Sequence, residues 1–503
     1  MSKTCSSPGL PGPNLTRVSV IGSAVEHLGS VLDARGAQDP DRVALVAGDA
    51  EVGYGELAEQ VRAAAAALRA RGLGSGDRAL LADLGGPLIV IATLAALRVG
   101  ATAIVVDPTL AAPELAALAA DSGPVRVAIA GAPFVEHLRG ALSVPVLTDD
   151  DLVAADDGVP PADPDTAIVL FTSGTTGRPK PIAMSTDVVR RRLVPYADAP
   201  DPHVRMLCTP VFHIGGLIGA LVSLVGGHTL VVQRRFEAGE WLRLVEQRGV
   251  RQMFLVPAQL RKILDHPDFA TRDHTSLVTL TYGAAPMPPQ LIARALDAMP
   301  TVGFANTWGQ TETLGGITML EPDDHRDPVH RHSVGRALPG VQMRVLDPSS
   351  GAELGPGEVG ELQTLSSQNV AAGWHGTGDL GHVDDDGYVY VSGRMSDVIN
   401  RGGEKVGPVE VEDVLRAHPQ VDDVAVVGVP DDVLGQRIGA AIVARGDLDA
   451  AALQQWCAGR LARFKTPERV LLVDAIPYSQ LGKVDRKAVV QMIVRDMASE
   501  ETS

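Results

Sequence analysis

Short apolar runs alternate with longer Ala/Leu-rich segments over the first two-thirds of the chain. The runs read ALLADL, AIVVD, AIVLFT, TLVVQ, MFLVP and VTLTYG, and a typical segment between them reads LAEQVRAAAAALRARG. Apolar runs of strand length separated by amphipathic helical segments are the pattern of βα units around largely parallel sheets. We therefore predict an α/β fold in which helices and sheets form layers.

The pattern of apolar and polar residues changes after Pro339. The stretches VQMRVLDPSSG, GELQTL and DDDGYVYVSGR are short, alternating and bounded by turn residues, which predicts hairpins in a small β module. From Arg394 onward, a Pro-started helix and the runs VAVVGVP, GAAIVA and RVLLV predict a separate, compact α+β unit. The expected organisation is a disordered N-terminus over 1–17, a large N-terminal domain over 18–393 and a smaller C-terminal domain over 394–503.

One segment, Met206 to Gln233, contains no Asp, Glu, Lys or Arg and is long enough to span a bilayer. Pro210, His213 and several glycines interrupt it. The interruptions favour a loop, a short helix and a strand of a buried core, so we expect no membrane span.

Composition and charge narrow the function classes. The 503 residues are 45% hydrophobic and carry a formal net charge of −17, which disfavours long-range attraction to nucleic acid or anionic lipid. Cys5, Cys208 and Cys457 are far apart and odd in number, so neither a disulfide framework nor a zinc ribbon is indicated. We expect a cytoplasmic protein.

The strongest chemical signal is the loop Phe171-Thr-Ser-Gly-Thr-Thr-Gly-Arg-Pro-Lys180, directly after the strand-like AIVL. Small residues let backbone N–H groups approach a polyphosphate, and Lys180 supplies a point charge. The remaining candidate ligands are Thr172, Ser173, Gly174, Thr175, Thr176 and Gly177. A flexible linker is the alternative, but a linker has no reason to end in Arg-Pro-Lys behind a buried strand.

This loop resembles the phosphate-binding signature of the adenylate-forming superfamily, which includes acyl-CoA synthetases, peptide-synthetase adenylation domains and firefly luciferase. The other motifs of that superfamily follow in order, so the resemblance runs from about residue 40 to about residue 490. It implies ATP, Mg²⁺ and CoA as ligands, a carboxylic acid as substrate, and a mobile C-terminal lid.

Further motifs extend the resemblance to the nucleotide site. The segment Trp308-Gly-Gln-Thr-Glu312 resembles another motif of the superfamily. This resemblance implies that Trp308 stacks on adenine, that Thr311 holds a phosphate oxygen, and that Glu312 together with Thr172 ligates Mg²⁺. The segment Tyr282-Gly-Ala-Ala-Pro286 is similar to the family's segment that lines the edge of the adenine. The segment Thr-Gly-Asp379-Leu is similar to the family's element whose aspartate accepts hydrogen bonds from the ribose hydroxyls. Without the other motifs, the Thr-Gly-Asp-Leu segment would be interpreted as a turn. The other implied ligands are Gly283, Ala284, Ala285, Asn306, Thr307 and Arg394.

The C-terminal part carries two more matches. Pro477-Tyr-Ser-Gln-Leu-Gly-Lys483 resembles the loop whose lysine reaches the reacting carboxylate and the α-phosphate. The segment from Asp397 to Glu410 resembles the thiolation loop, which implies that Gly402, Gly403 and Lys405 contact CoA and that Ser396 is the hinge. The implied catalytic residues are Lys483, Lys180, Glu312 and His213.

The acyl site is implied by Pro210-Val-Phe-His213, which resembles a segment of acyl-CoA ligases. It has no Asp to pair with an α-ammonium group, so an amino-acid substrate is disfavoured. The implied pocket comprises His213, Gly215, Gly216, Gly309, Gly315 and Gly316. Gly215, Gly216, Gly315 and Gly316 suggest room for a bulky apolar acid.

Two positions depart from the family pattern. Pro181 replaces the usual Gly after Lys180 and should push Lys180 toward extended geometry, and Ser396 replaces an Asp or Lys at the hinge. An acyl-CoA ligase is the favoured function. The alternatives are a ligase that only makes the thioester from supplied acyl-AMP, an acyl-carrier-protein ligase, a luciferase-like oxidase and, from another class, a non-catalytic nucleotide-binding protein. A homodimer is left open.

Overall fold

A computed structural model describes residues 27–172, 179–197, 201–479 and 482–501. The predicted disordered segment 1–17 lies outside these residues. The elements up to residue 197 are β1 (Val43–Ala47), β2 (Ala50–Gly53), β3 (Arg78–Ala82), β4 (Thr102–Val105), β5 (Val127–Ala130), β6 (Val146–Leu147), β7 (Thr166–Thr172) and β8 (Lys180–Ser185), with α1 (Asp33–Gln38), α2 (Tyr54–Ala70), α3 (Pro87–Arg98), α4 (Ala112–Asp121), α5 (Val135–Ala141) and α6 (Thr186–Leu193).

The following region continues the same alternation. Its elements are β9 (Val204–Leu207), β10 (Thr229–Val232), β11 (Gln252–Leu255), β12 (Thr279–Gly283), β13 (Gly303–Gln310), β14 (Gly315–Leu320) and β15 (Arg336–Ala337), with α7 (Ile214–Val225), α8 (Ala238–Arg248), α9 (Pro257–Leu264) and α10 (Pro289–Ala298). The uncharged segment thus folds as the end of β9, α7 and β10. Within the described ranges, none of the helices has the length and apolarity needed to cross a membrane.

These strands form two mainly parallel sheets, in the orders β6-β5-β3-β4-β7-β8 and β15-β14-β13-β12-β11-β9-β10-β1-β2. Strands β4 and β5 are buried at every position, because helices cover both faces of their sheet. Helices α2, α3 and α7 share one apolar core with the inner faces of both sheets. Helices α8, α9 and α10 cover the outer face of the second sheet, and α4 and α5 that of the first. The predicted layered α/β fold is confirmed.

The predicted small β module is an antiparallel sheet of β16 (Gln342–Leu346), β17 (Gly360–Leu365), β18 (His375–Val383) and β19 (Val389–Arg394). Its strands follow one another in chain order, as in successive hairpins. The Thr-Gly-Asp-Leu segment lies inside β18, so the interpretation of this segment as a turn is wrong.

The C-terminal part is the predicted α+β unit. It contains β20 (Ile399–Arg401), β21 (Glu404–Val406), β22 (Val421–Asp431), β23 (Gly435–Ala444) and β24 (Arg469–Leu472), with α11 (Pro408–Arg416), α12 (Ala450–Ala458) and α13 (Arg486–Glu501). Helices α11 and α12 pack on one face of the sheet, and α13 on the other. A short 3-10 helix, Met395–Asp397, leads into this unit, and we propose the domain division just before it, after Gly393.

Candidate active site

The carboxyl ends of β12 and β13 form one wall of the site. The strands are parallel neighbours, with Gly283 beside Thr307 and Tyr282 beside Asn306. A Cβ atom on Gly283 would lie 2.3 Å from the carbonyl oxygen of Thr307, so glycine is needed here. The next residue, Ala284, is exposed and has a φ of 65°. Strained left-handed backbone of this kind concentrates at ligand sites, which supports the predicted adenine edge over Ala284 and Ala285.

Asp379 is the centre of a polar network. It lies in β18 opposite Arg394, the last residue of β19, and is only 4% exposed. Its Oδ1 atom is 2.8 Å from Nε of Arg394, and its Oδ2 atom accepts hydrogen bonds from Nε1 of Trp308 at 3.1 Å and from Nε2 of Gln310 at 3.2 Å. Burial raises the pKa of Asp379, while Arg394 and the two hydrogen bonds oppose that rise.

Two residues of this network were missed in the sequence. The amide of Gln310 also donates to the carbonyl oxygen of Thr377 at 2.7 Å, and its Oε1 atom is 3.2 Å from Nε2 of His375. Gln310 belongs to the quoted motif around Trp308, but nothing in the sequence signals its bond to Asp379. His375 has no sequence signal at all, because its contact arises only where β18 meets the end of β13.

Thr311 and Glu312 follow β13 in a short 3-10 helix, Thr311–Thr313. The charge of Glu312 raises the pKa of Lys483, so the Glu312 carboxylate acts on the cleft that holds Lys483. A carboxylate beside a phosphate site is a fitting Mg²⁺ ligand, because Mg²⁺ is usually held by one or two carboxylates together with substrate phosphates. Among the described residues, no group of three or more His, Cys, Asp or Glu side chains could hold a metal ion. A Mg²⁺ ion held by Glu312 would take further ligands from phosphate.

Lys483 reaches this cleft from the C-terminal domain. Its loop is closed by an antiparallel bridge between Tyr478 and Val484 and by a 2.8 Å hydrogen bond from the Ser479 N–H to the Lys483 carbonyl oxygen. Removal from bulk water is the largest cause that lowers the pKa of Lys483, and the charge of Arg394 lowers it further. Asp379 and Glu312 raise it. The residue keeps accessible surface, so it lies in an open cleft rather than in a packed core.

The predicted phosphate loop joins β7 to β8. Thr172 ends β7, Lys180 begins β8, and the two are register partners. The intervening Ser173, Gly174, Thr175, Thr176 and Gly177 lie outside the described residues. Pro181 lies in β8, an edge strand of its sheet, where a missing N–H is tolerated. The predicted extended geometry at Lys180 is confirmed.

His213 marks the predicted acyl site. It is the N-cap of α7 and follows the buried Phe212, with ring centroids 4.6 Å apart. Its Nε2 atom is buried and has no hydrogen-bond partner among the residues that the structure describes. Burial lowers the pKa of His213 to about 4, and the charge of Lys483 is the second cause. His213 is therefore neutral at pH 7 and lies within electrostatic range of Lys483.

The depressed pKa predicts a pH effect on stability. The folded state binds the His213 proton only near pH 4, whereas the unfolded chain binds it near the ordinary value of 6.5. The contribution of neutral His213 to the free energy of unfolding is complete above about pH 6.5 and is lost as the pH falls toward 4. Between pH 7 and pH 5, we expect the free energy of unfolding of His213→Gln to fall by about 1–2 kcal/mol less than that of the wild type. Urea titrations of both proteins at both pH values check this, and equal losses would contradict it.

The glycines of the predicted acyl pocket have two different explanations. A Cβ atom added to Gly216 would lie 2.1 Å from a main-chain carbonyl oxygen. One added to Gly309 would lie 1.9 Å from the Gly315 carbonyl oxygen, and one added to Gly316 would lie 1.9 Å from a threonine hydroxyl. Close packing requires glycine at all three positions. The inference that Gly216 and Gly316 indicate room for a bulky acid is therefore wrong. A Cβ atom on Gly215 would have only a methyl group at 3.9 Å, and one on Gly315 would have no neighbour within 4 Å among the described atoms.

Gly216→Ala should destabilise the protein by about 1–3 kcal/mol, because the start of α7 must move away from the Pro210 carbonyl oxygen. Gly215→Ala, one residue earlier in the same turn, is the matched control, since its added methyl group meets only ordinary contact distance. Thermal unfolding of the two variants measures the difference. Equal melting temperatures would show that the turn relaxes without cost.

The predicted CoA-binding residues lie in a hairpin at the start of the C-terminal unit. Gly402 and Gly403 have φ values of 59° and 97° and form the two-residue turn between β20 and β21, a conformation that glycine favours. The Gly402 N–H donates to the Leu434 carbonyl oxygen at 2.8 Å, within the C-terminal unit, and Lys405 is exposed. Ser396 lies in the connecting 3-10 helix. In this structure Lys483 lies within electrostatic range of Asp379, Arg394 and Glu312 of the predicted nucleotide site, whereas the hydrogen bond of Gly402 lies within the C-terminal unit.

Comparison with known families agrees with this geometry. The AMP-binding enzyme model matches residues 32–375, and the model of the AMP-binding enzyme C-terminal domain matches residues 410–483. The chain belongs to this family, the adenylate-forming enzymes. It is an enzyme of the acid–thiol ligase class.

Individual relatives cover nearly the whole chain. An indoleacetate–CoA ligase from Aromatoleum aromaticum is 31% identical over 95% of this chain and 100% of its own length. The fatty acid–[acyl-carrier-protein] ligase ScoC from Streptomyces coeruleorubidus is 31% identical over 86% of this chain and 90% of its own. The o-succinylbenzoate CoA synthetase of Bacillus subtilis, solved with its acyl-adenylate intermediate, is 26% identical with a TM-score of 0.81, covering 92% of this chain and 97% of its own. That enzyme has also been solved with ATP and a magnesium ion.

Proposed function

We propose that this protein activates a carboxylic acid with ATP as an acyl-adenylate and then transfers the acyl group to CoA. The observation that carries the proposal is that Lys483, from the C-terminal domain, lies within electrostatic range of Asp379 and Glu312 of the N-terminal domain and of Arg394 at the domain boundary. One cation delivered by a separate domain into a cleft with a buried carboxylate suits a reaction in which anionic groups must be brought together and then released.

Nucleotide binding in this proposal uses the wall formed by β12, β13 and β18. The adenine lies against Trp308 and the main chain of 283–285, next to Asn306 and Thr307. Asp379 accepts the ribose hydroxyl hydrogen bonds, which a carboxylate can do with both oxygens. The described part of the phosphate loop contributes Thr172 and Lys180, and Thr311 lies at the phosphates.

In the first step, a carboxylate oxygen of the acid bonds to the α-phosphorus, and the bond to pyrophosphate breaks. Lys483, Lys180 and Arg394 offset the negative charge that gathers on these oxygens. Glu312 and Thr172 would hold Mg²⁺, which when bound neutralises phosphate charge. Because His213 is neutral, it adds no charge to the acyl side of the cleft. The products are acyl-AMP and pyrophosphate.

In the second step, the C-terminal domain turns about the connector at Ser396, and the hairpin at Gly402 and Gly403 replaces the Lys483 loop. The CoA thiolate bonds to the acyl carbonyl carbon, and the bond to AMP breaks. Two successive glycines leave the turn without side chains, so a pantetheine arm can pass close to the backbone. Lys405 follows that turn and is exposed, which suits a contact with CoA phosphate.

We propose a bulky apolar acid as substrate. Its support is the buried Phe212, the neutral His213 and the open space at Gly215 and Gly315. No carboxylate lies in the segment from Pro210 to Gly216 to pair with an ammonium group.

Pyrophosphate release across a panel of aryl, medium-chain, long-chain and polycyclic acids tests the proposal, with CoA, holo carrier protein or neither present. Mass spectrometry then identifies the product. Release together with acyl-CoA is expected. Product only on carrier protein would make the chain a carrier-protein ligase, and thioester formed only from supplied acyl-AMP would assign adenylation to another protein. Acetate as the best substrate would contradict the bulky-acid proposal.

A further inference from the structure

We propose that helix α9 is the docking platform of the Lys483 loop, and that Arg261 on this helix is a positioning residue for the adenylation step. The proposal rests on the proposed two-step function, because it assigns Arg261 to one of the two steps. Arg261 does not belong to any of the motifs that predicted the site, and it lies on the outer face of the large sheet rather than in the nucleotide cleft.

The start of α9 contacts the Lys483 loop directly. Gly482, the residue before the lysine, has a φ of 68°. A Cβ atom on it would lie 3.3 Å from both Val256 Cγ2 and Ala258 Cβ, which flank the first residue of α9. The main chain at Gly482 therefore lies against this end of the helix, at a distance where an added Cβ atom would require its neighbours to move by a few tenths of an ångström.

The last turn of α9 contacts the C-terminal sheet near the same loop. Nη1 of Arg261 donates to the Asp422 carbonyl oxygen at 3.3 Å. The next residue, Asp423, accepts a 2.7 Å hydrogen bond from the Tyr478 hydroxyl, and Tyr478 begins the Lys483 loop. The start of β22 thus connects Arg261 on one side with the lysine loop on the other.

A second bond fixes the same domain pose. Nε2 of Gln290, on α10, donates to the Arg416 carbonyl oxygen at 3.2 Å. Arg416 is the last residue of α11, where carbonyl groups have no partner within the helix. Both N-terminal donors therefore bond main-chain oxygens of the C-terminal domain. The two bonds depend on the position of that domain and not on its side chains. Both bonds must break when the domain turns for the second step.

Arg261→Ala should slow acyl-adenylate formation about tenfold, which is the effect expected from losing one hydrogen bond with a charged donor. Thioester formation from supplied acyl-AMP and CoA should change by less than about twofold. The matched control is Lys262→Ala, which removes the neighbouring exposed cation on the same helix and should change neither step. Single-turnover pyrophosphate release and single-turnover thioester formation measure the two steps separately. Equal loss in both steps, or no loss in the first, would overturn the assignment.

Gln290→Ala provides a second variant should Arg261→Ala fold poorly, and it should show the same selective loss. Spin labels on Asp297→Cys in α10 and Gln455→Cys in α12, in a Cys5→Ser background, report the domain pose without any turnover. Arg261→Ala should broaden the distance distribution, and Lys262→Ala should not. If no acid is activated by the wild type, the proposed function fails, while this distance measurement still decides whether Arg261 holds the pose. An unchanged distribution would reject the docking role.

Discussion

Lys483→Ala is expected to reduce acyl-adenylate formation by about 10³-fold or more, while acyl-CoA formation from supplied acyl-AMP falls less than about threefold. The reason lies in the surroundings of the amine. Lys483 shares its cleft with Asp379 and Glu312 of the N-terminal domain and with Arg394 at the domain boundary, and the loop of the C-terminal domain brings its charge there. Removing it leaves the gathering phosphate and carboxylate charges with less compensation, whereas the thioester step takes place after the loop has left.

The experiment compares the two half-reactions of Lys483→Ala with those of Lys487→Ala. Lys487 is four residues further on, at the start of α13, and is exposed, so its removal controls for the loss of one positive charge from the same part of the domain. Pyrophosphate release without CoA reports the first step, and thioester yield from synthetic acyl-AMP reports the second. Parallel loss of both activities in Lys483→Ala would refute the assignment of this lysine to adenylation alone.

Asp379→Asn is expected to raise the KM for ATP by about 30–100-fold. Two hydrogen bonds from ribose hydroxyls to a carboxylate are each strengthened by its charge, and bonds to charged groups contribute about 1.5–3 kcal/mol. Asparagine keeps the shape but loses the charge. It also presents an N–H₂ group to a site already filled with donors, namely Trp308, Gln310 and Arg394.

Comparison of ATP with 2′-deoxy-ATP separates binding from folding. The wild type should discriminate strongly against the deoxy compound, and Asp379→Asn should discriminate weakly because the partner of that hydroxyl is impaired. Asp385→Asn, an exposed carboxylate in the turn after β18, serves as the control and should behave as the wild type. If Asp379→Asn retained full discrimination, the ribose contact would have to lie elsewhere.

The sequence predicted the elements of the site better than their contacts. The strand before the phosphate loop and the strand VTLTYG were found because buried parallel strands are continuous apolar runs, and the helix at Pro408 because proline suits a first helical position. The segment around Asp379 was less clear. With Gly376 and Gly378 on either side of Thr377, it looks like a turn, yet pairing with β17 and β19 holds it as a strand.

The acyl pocket shows where sequence reasoning fails. At Gly216 and Gly316 the sequence predicts space for substrate, because a glycine has no side chain. The structure shows that a neighbouring main chain or hydroxyl already fills that space. Whether a glycine leaves room or allows close packing depends on which strand or loop lies opposite, and the sequence around the glycine does not encode that neighbour.

By itself, the sequence determined the layered α/β body, the small β module, the α+β C-terminal unit and the order of the motifs, because these depend on the local periodicity of apolar residues and on turn chemistry. Only the tertiary structure decided that Trp308 and Gln310 bond an aspartate about 70 residues away. The tertiary structure also decided that Lys483 enters the cleft beside Asp379 and that α9 contacts the loop that carries Lys483. These contacts join elements distant in the chain, and their geometry is set by how sheets and domains pack, which no local pattern specifies.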